Sequence, residues 1–298
     1  MGFLGNIKSQ TLIARMRQKV YVGRINNAQE VMSDSASAQA QRDADSRFLY
    51  GHYTNMEGML HILQEREFIA NRIDRVDDKK EATYLQPLID EQACMPYVTC
   101  FDYKDNESIP LWNMYTNPET GVLLKFRIKK SKSSPTFRQG LIDFSRKVKA
   151  FVSERDYAEF PFCTSPEVFQ SRVSVSTWMK DVVYDEGILP NSFILINGKK
   201  YLNYTLLAGV KSEDWDFQRE SRLVTMFQLS SCDGQEQEID NYIYLKIPIH
   251  FDNLERLEVT FGPWMGERTK DAIRHEVDIL NIPVEYKDSK HTGKIERK

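Results

Sequence analysis

Short runs rich in β-branched and aromatic residues recur between residues 48 and 286 of this chain, with only a few helical segments among them. The clearest runs lie at 96–101, 122–126, 221–227 and 257–261. Strands and helices do not alternate regularly, as they would in a doubly wound sheet, and no unit of roughly 20 to 50 residues repeats. The pattern therefore predicts an α+β domain.

Composition divides the chain of 298 residues into three parts. Residues 1–47 are predicted to form an N-terminal helical extension, which packs on the domain or a partner or else stays a solvated arm. Residues 48–286 form a single α+β domain, and 287–298 a loose basic tail. The net charge of −3 excludes a dedicated basic nucleic-acid binder.

Cysteine usage and hydropathy predict a cytoplasmic protein without a membrane segment. The four cysteines form no C-x-x-C pair, which favours reduced thiols. No apolar run approaches the roughly 20 residues that a membrane-spanning helix needs.

Some segments give weaker patterns. We predict a strand at 181–184 and helices at 201–207 and 267–278, whereas 150–175 shows no clear period.

The segment 48–57 predicts a strand that ends abruptly at a helix, with His52 at the junction. Thr54 and Glu57 have the spacing of a capping box, which would start the helix at Thr54. The helix start would leave free N–H groups beside His52, and such groups suit an anion or ligand. The alternative is a packed strand-to-helix turn without a ligand.

Several catalytic motifs are missing from the sequence. The five histidines form no H-x-x-x-H or H-x-H pair, so a zinc site is not predicted. There is no phosphate-binding G-x-x-x-x-G-K-[ST] or G-x-G-x-x-G motif, and no G-x-S-x-G nucleophile elbow.

Three separated segments carry the remaining candidate residues: 50–54, 110–121 with Trp112 and Tyr115, and 211–222 with Glu220 and Arg222. A fixed carboxylate stabilises the positive charge that builds on a ribose when its N-glycosidic bond breaks, and aromatic faces hold a flat base. The alternatives are a surface pair of Glu220 with Arg219 or Arg222, and core packing of the two aromatic residues.

The segment 129–149 is strongly basic, with seven Lys and Arg residues against one Asp, a net charge of +6. Such a patch could bind phosphates, although most charged runs are solvated faces.

In this order, the motifs resemble those of the bacterial domain of unknown function family 2971, over about residues 48–286. The matching motifs are Tyr50-Gly51-His52-Tyr53-Thr54, Ile62-Leu63, Asp77-Asp78 with Glu81, Cys100-Phe101, Leu111-Trp112 with Tyr115 and Gly121, Lys211 with Trp215 and Glu220-Ser221-Arg222-Leu223, and Phe261-Gly262-Pro263.

The opening of that family is similar to ADP-ribosyltransferase-like folds, which have a split mixed or antiparallel β-sheet core with flanking helices. The resemblance implies NAD as substrate, with His52 on a ribose hydroxyl and Glu220 orienting the ribose. It implies Tyr115 as the aromatic residue that stacks on nicotinamide, with Tyr97 or Tyr103 as alternatives. The remaining dinucleotide-binding candidates are Tyr53, Thr54, Trp112 and Arg222.

The resemblance therefore implies an NAD-dependent ADP-ribosyltransferase that modifies a macromolecule, protein or nucleic acid, as a toxin or antiphage defence effector with a regulatory or antitoxin partner. One alternative is an NAD glycohydrolase. The other is a non-catalytic nucleotide- or nucleic-acid-binding module that uses 129–149. For either enzyme, His52 and Glu220 should face one cleft within roughly 10 Å of each other.

Overall fold

The computed structural model describes residues 43–76 except 45, then 78, 81, 96–129, 136–163, 173–184, 193–196, 199–202, 208–229 and 242–295. The helices are α1 (Met56–Glu65), α2 (Ile109–Tyr115), α3 (Phe137–Leu141) and α4 (Glu267–Ile279). The strands are β1 (Leu49–Asn55), β2 (Glu67–Arg72), β3 (Tyr97–Asp102), β4 (Gly121–Ile128), β5 (Val148–Phe151), β6 (Tyr157–Phe160), β7 (Val173–Asp181), β8 (Val183–Tyr184), β9 (Phe193–Ile196), β10 (Lys199–Leu202), β11 (Val210–Lys211), β12 (Glu220–Leu229), β13 (Tyr244–Pro248), β14 (Leu254–Phe261) and β15 (Glu285–Asp288).

A large mixed sheet with few helices makes this an α+β protein, as the sequence predicts. The strand order is β15-β14-β4-β1-β3-β2-β13-β5-β6, and β12 joins the opposite edge of β3 and pairs with β7. All pairs in this sheet are antiparallel except β14 with β15.

Seven of these strands close on themselves around an aromatic interior. After β6 the chain pairs with β7, because Cys163 N donates to Val175 O at 2.8 Å and Val175 N donates to Pro161 O at 2.8 Å. The ring then runs through β7, β12, β3, β2, β13 and β5 back to β6. Its interior holds rings that meet edge-on or tilted: Tyr97, Phe160, Phe227 and Tyr242.

Two strands, β1 and β2, pair with the same edge of β3 at its opposite ends. At its end, Asp102 pairs with Gly51 of β1, and at its beginning Tyr97 and Val98 pair with β2. Among the described strands, none pairs with 99–101 on this edge. The sheet is therefore split at the middle of β3, between β1 and β2.

Helix α1 covers the inner face of the split sheet. It packs on β1, β2, β4 and α4, and it buries Met59, Ile62 and Leu63, which the helical period places on one face. Burying each of these side chains fully contributes about 1.5–3 kcal/mol.

The predicted capping box is wrong. Thr54 stays in β1 opposite Val122, and α1 begins only at Met56. The residue before the helix is Asn55, whose side chain makes no capping bond and instead accepts a hydrogen bond from Asn117 N. The strand ladder with β4 holds Thr54 extended and thereby moves the N-cap by one residue, from Thr54 to Asn55.

A second, smaller core lies on the outer face of β1 and β4. It consists of Tyr53, Leu111, Trp112 and Leu123, with Phe217 and Trp264 packed against it.

The start of the C-terminal tail is fixed beside this second core. Glu107 accepts hydrogen bonds from Trp112 Nε1 at 3.1 Å, from Lys290 N at 3.0 Å and from the Ser289 hydroxyl. Ser289 is buried, and β15 runs to Asp288. The described part of the predicted loose tail is therefore held in place up to this point.

The other weak sequence patterns have mixed outcomes. Within 201–207, Tyr201 and Leu202 belong to β10, so the predicted helix is wrong there, and 203–207 lie outside the described residues. The segment 150–175 contains the end of β5, all of β6 and the start of β7. Most of the predicted extension 1–47 also lies outside the description, but Ala44 is buried and its carbonyl accepts from the Tyr50 hydroxyl at 2.7 Å.

Within the described parts of the chain, no helix combines the length and the hydropathy needed to span a membrane.

Candidate functional site

The imidazole of His52 lies at the split between β1 and β2. Its Nδ1 is 2.9 Å from the carbonyl oxygen of Cys100, so Nδ1 carries the proton and donates it. The ring also packs against Phe68 and Phe101, with centroid distances of 5.9 and 5.6 Å. Burial lowers the pKa of His52, although the bond to the carbonyl opposes this effect. At neutral pH, His52 is therefore uncharged and Nε2 is a hydrogen-bond acceptor.

Cys100 lies in the middle of β3 but keeps an exposed surface. Burial nevertheless raises the pKa of its thiol strongly, and the charge of Glu220 adds to this effect. The thiol therefore packs against protein atoms, among them the carboxylate of Glu220, while part of Cys100 stays exposed. Because the thiol stays protonated at neutral pH, it is not an activated nucleophile.

Glu220 begins β12 and lies beside Cys100, with only 5% of its surface exposed. Its Oε1 accepts from Arg222 Nε at 2.6 Å, and its Oε2 accepts from Lys211 Nζ at 2.6 Å. Burial alone would raise the pKa of this carboxyl, but Arg222 and Lys211 outweigh it and hold the pKa at about 2. Glu220 is therefore ionised at every physiological pH.

The ammonium group of Lys211 links Glu220 to residues near the protein surface. Besides Glu220, it donates to Gln218 Oε1 at 2.7 Å and lies 5.6 Å from the centroid of the Trp215 ring. Gln218 in turn donates from Nε2 to the Tyr115 hydroxyl at 2.6 Å. Tyr115 is 37% exposed, so this chain of contacts runs from a buried carboxylate to an exposed aromatic ring.

Arg222 lies behind Glu220 with no exposed surface. It donates to both oxygens of Glu220, to both oxygens of Glu81, and to the carbonyl of Ala208. With Lys211, these side chains form a buried cluster of two cations and two anions. Arg222 is therefore a counter-ion of Glu220 without a surface for a dinucleotide.

The three predicted catalytic residues are linked by contacts, but His52 and Glu220 do not face one cleft. Gly51 and Glu220 both pair with Asp102, so Glu220 lies on the outer face of the sheet and His52 on the inner face. His52 binds the carbonyl of Cys100, the thiol of Cys100 is hydrogen-bonded to Glu220, and Tyr115 reaches Glu220 through Gln218 and Lys211. Glu220 is thus paired with Arg222, as one alternative held, but inside the protein rather than at its surface.

The two alternative tyrosines lie elsewhere. Tyr97 is fully buried inside the ring of strands, where its hydroxyl donates to the carbonyl of Tyr242 at 3.0 Å. Tyr103 lies under the guanidinium of Arg47, 4.2 Å from its ring centroid.

Two other predicted dinucleotide-binding residues pack in the second core. Tyr53 and Trp112 meet edge-on at 5.0 Å, and Trp112 has no exposed surface. The Tyr53 hydroxyl accepts from Ser108 N at 2.9 Å. Both residues therefore correspond to the core-packing alternative.

The backbone amide at the first helical position, next to Thr54, is not free to bind a ligand. Met56 N donates to Thr120 O at 2.8 Å, so this predicted ligand group is already bonded. A Cβ added at Gly58 would lie 2.3 Å from Thr54 Oγ1, which shows how closely the hydroxyl approaches α1.

Sequence reasoning missed the parts played by Cys100, Gln218 and Glu81. Cys100 was noted only within a β-rich run and in the Cys100-Phe101 motif of the resemblance, and nothing in the sequence marks its exposure. Glu81 binds Arg222 across 141 positions, and such a pairing leaves no local signal.

The described members of the basic segment 129–149 are divided between separate places, and only Arg146 and Lys149 share an acidic partner. Lys129 approaches Asp252 O, Arg138 donates to Thr177 O, and Arg146 and Lys149 bind Glu67. Lys130 and Lys132 lie outside the described residues.

Comparison of the chain with protein-family models, with curated proteins and with solved structures finds no match. The residues described here include no group of three or more His, Cys, Asp or Glu side chains placed to hold a metal ion.

Proposed function

We propose that the protein is an ADP-ribosyltransferase-like enzyme, related to the family 2971 that its motifs resemble, which uses NAD to modify a macromolecule. One observation carries the proposal. His52 donates to the backbone carbonyl of Cys100, an exposed residue at the split in the sheet, and Glu220 lies beside the Cys100 thiol on the other face. A split sheet with a histidine and a carboxylate next to the split is what the resemblance implies.

In this proposal, His52 and Glu220 hold the nicotinamide-side ribose at the split, from the two faces of the sheet. The unprotonated Nε2 of His52 accepts a hydrogen bond from one ribose hydroxyl. Glu220 accepts from Arg222, Lys211 and the Cys100 thiol, so a second ribose hydroxyl binds the carboxylate by displacing the weak thiol donor. The fixed negative charge stabilises the positive charge that develops on the ribose as nicotinamide leaves.

Tyr115 supplies the aromatic surface in this proposal. Its exposed ring is fixed in place because Gln218 holds its hydroxyl. A flat nicotinamide ring gains from stacking on such a surface. The toxin or antiphage setting, a restraining partner protein and a cytoplasmic location rest on the resemblance and the composition alone.

The test is release of nicotinamide from NAD by the purified protein, with total cell protein or nucleic acid as acceptor. Glu220→Gln should reduce the rate by about 100-fold or more, because it removes a charge aimed at the transition state. The matched control is Glu258→Gln, which changes another buried carboxylate that is paired with lysines in β14. Both variants are checked for folding by circular dichroism.

Wild-type protein that neither binds nor consumes NAD would refute the proposal. Equal rates for the two folded variants would do the same, since Glu220 would then have no part in the reaction.

An NAD glycohydrolase is the second candidate, because Cys100 at the split is exposed and water can reach it. Labelled NAD separates the two reactions. A transferase leaves label on the acceptor, whereas a hydrolase releases all of it as free ADP-ribose.

A further inference from the structure

Three aromatic rings are stacked on the outer face of the sheet, at the end of the strand order. Phe151 of β5 stacks on Tyr244 of β13 at 4.7 Å with an angle of 9° between the rings, and on Tyr157 of β6 at 5.1 Å with an angle of 30°. These residues are direct cross-strand partners, so their rings stand side by side. Tyr157 is 52% exposed, which leaves one face of the stack open.

Basic side chains surround the same stack. Lys246 Nζ lies 5.4 Å from the centroid of the Phe151 ring, and Lys149 is the cross-strand partner of Lys246. Lys149 and Arg146 both bind Oε1 of Glu67, at 2.7 and 3.0 Å, and Lys246 lies 4.0 Å from Oε2.

This cluster has two positive charges in excess, because one carboxylate faces three cations. Glu67 is buried, and its Oε2 has no hydrogen-bond partner among the described residues. The three cations keep partly exposed side chains. The nearby acid Glu159 is turned to Lys147, at 3.9 Å. The excess positive charge of this cluster would attract phosphate groups.

The outer face of the strands continues from the stack to Cys100. Lys246 pairs with Ile69 of β2, and Ile69 is 43% exposed. Strand register puts Ile69 on the same face as Cys100, because Asn71 pairs with Val98. Four strand spacings of about 4.8 Å separate β3 from β6, so the path from Cys100 to Tyr157 is about 19 Å long and follows the curved outer surface of the closed ring of strands.

We propose that this outer face binds single-stranded nucleic acid and presents it to the split at Cys100 as the acceptor of ADP-ribose. Unpaired bases stack on the open face of Tyr157, and phosphates lie against Lys149, Lys246 and Arg146. A duplex keeps its bases stacked on one another and offers no base face to the tyrosine. The acceptor part of the inference rests on the proposed function, whereas the binding part does not.

The transfer step needs only NAD and the nucleic acid. The bond between ribose C1′ and nicotinamide nitrogen breaks, and its electron pair leaves with nicotinamide. A nucleophilic nitrogen of an unpaired base forms the new bond to C1′, and the proton of that nitrogen passes to water.

The binding test measures fluorescence anisotropy of labelled oligothymidylates of increasing length with the full chain. Affinity should rise up to about four nucleotides, the number whose extended backbone spans the path, and little beyond. Tyr157→Ala should weaken binding about tenfold because it removes a stacking surface. Lys149→Gln with Lys246→Gln should lower the slope of log K against log salt by about 1.4.

The matched controls are Arg268→Gln, an exposed cation on α4, and heparin as a polyanion without bases. Tyr157→Ala should leave heparin binding unchanged. The inference is overturned if wild-type protein binds no single strand, or if Tyr157→Ala weakens oligonucleotide and heparin binding equally.

The acceptor part is tested by mass spectrometry of an oligonucleotide incubated with NAD. Nicotinamide release together with an unmodified oligonucleotide would overturn the acceptor assignment and leave the proposed donor site standing. Oligonucleotide binding without any NAD consumption would refute the proposed enzyme and leave the binding surface standing.

Discussion

Arg222 binds Glu220 through two hydrogen bonds, from Nε to Oε1 at 2.6 Å and from Nη2 to Oε2 at 3.2 Å. The two residues are neighbours on one face of β12, since side chains two positions apart in a strand point the same way. The planar guanidinium matches the two carboxylate oxygens and fixes their orientation. Arg222 thus determines which way the candidate catalytic carboxylate faces.

Arg222→Leu should strongly destabilise the protein. The change would leave two buried carboxylates, Glu81 and Glu220, with Lys211 as their one cation in the described cluster. Breaking a buried ion pair by removing one partner costs about 3–5 kcal/mol in the free energy of unfolding. Urea unfolding measures this, and Arg268→Leu at an exposed position serves as control. A loss below about 1 kcal/mol would mean that the cluster is not buried as described.

NAD binding should depend on pH through His52. Burial lowers the pKa of His52 below its usual 6.5, so Nε2 stays unprotonated above that pH. The dissociation constant should be flat from pH 8 down to 6.5 and rise only under more acidic conditions, as Nε2 gains a proton and loses its lone pair. Isothermal titration across this range measures it, and His52→Gln should remove the pH dependence. Tightening at acidic pH would contradict the accepting role of Nε2.

Two substitutions of Tyr115 distinguish what its hydroxyl contributes to stability from what its ring contributes to NAD binding. Tyr115→Phe loses one hydrogen bond to Gln218 and should lower the free energy of unfolding by about 0.5–1.5 kcal/mol. It keeps the ring, so the KM for NAD should change by less than about threefold. Tyr115→Ala removes the ring and should raise the KM about tenfold. Equal KM values for both variants would show that the ring does not contact nicotinamide.

Gly262 should tolerate no side chain. A Cβ at this position would lie 2.8 Å from the carbonyl oxygen of Gly121 and 3.4 Å from Trp112. Because Gly262 N also donates to that carbonyl at 2.8 Å, the strands cannot separate without losing the bond. Gly262→Ala should lower the free energy of unfolding by about 1–3 kcal/mol. Gly266→Ala is the matched control in urea unfolding, since a Cβ there meets nothing within 4 Å.

Local patterns predicted much of the fold where one face of a strand is apolar and the other is not. Strand β12 was predicted because Leu223, Thr225 and Phe227 alternate with their neighbours. Strands β5 and β6 gave no such signal, because Phe151 and Tyr157 place aromatic rings on the outer face. These outward-facing aromatic rings remove the alternation of apolar and polar residues, and the same rings make the surface a candidate binding site.

The candidate site was predictable only in part. Glu220 stood out as an acid at the start of an apolar strand, and His52 as a histidine at a strand end. Neither the exposure of Cys100 nor the bonds of Arg222 to Glu81 could be predicted, because both depend on which distant strands and segments meet. The spacing of Thr54 and Glu57 fits a capping box equally well in an extended chain, and only the pairing with β4 decides against it.

The width of the opening at Cys100 is set by strand register. Strands β1 and β2 occupy opposite ends of the same edge of β3, and each is held there by its ladder with a further strand, β4 or β13. Slipping β1 by one residue would turn Tyr50 out of the core and bring a different side chain to the opening. Changes in the surrounding loops would therefore alter which molecules reach the opening at Cys100, whereas the distance between β1 and β2 would stay the same.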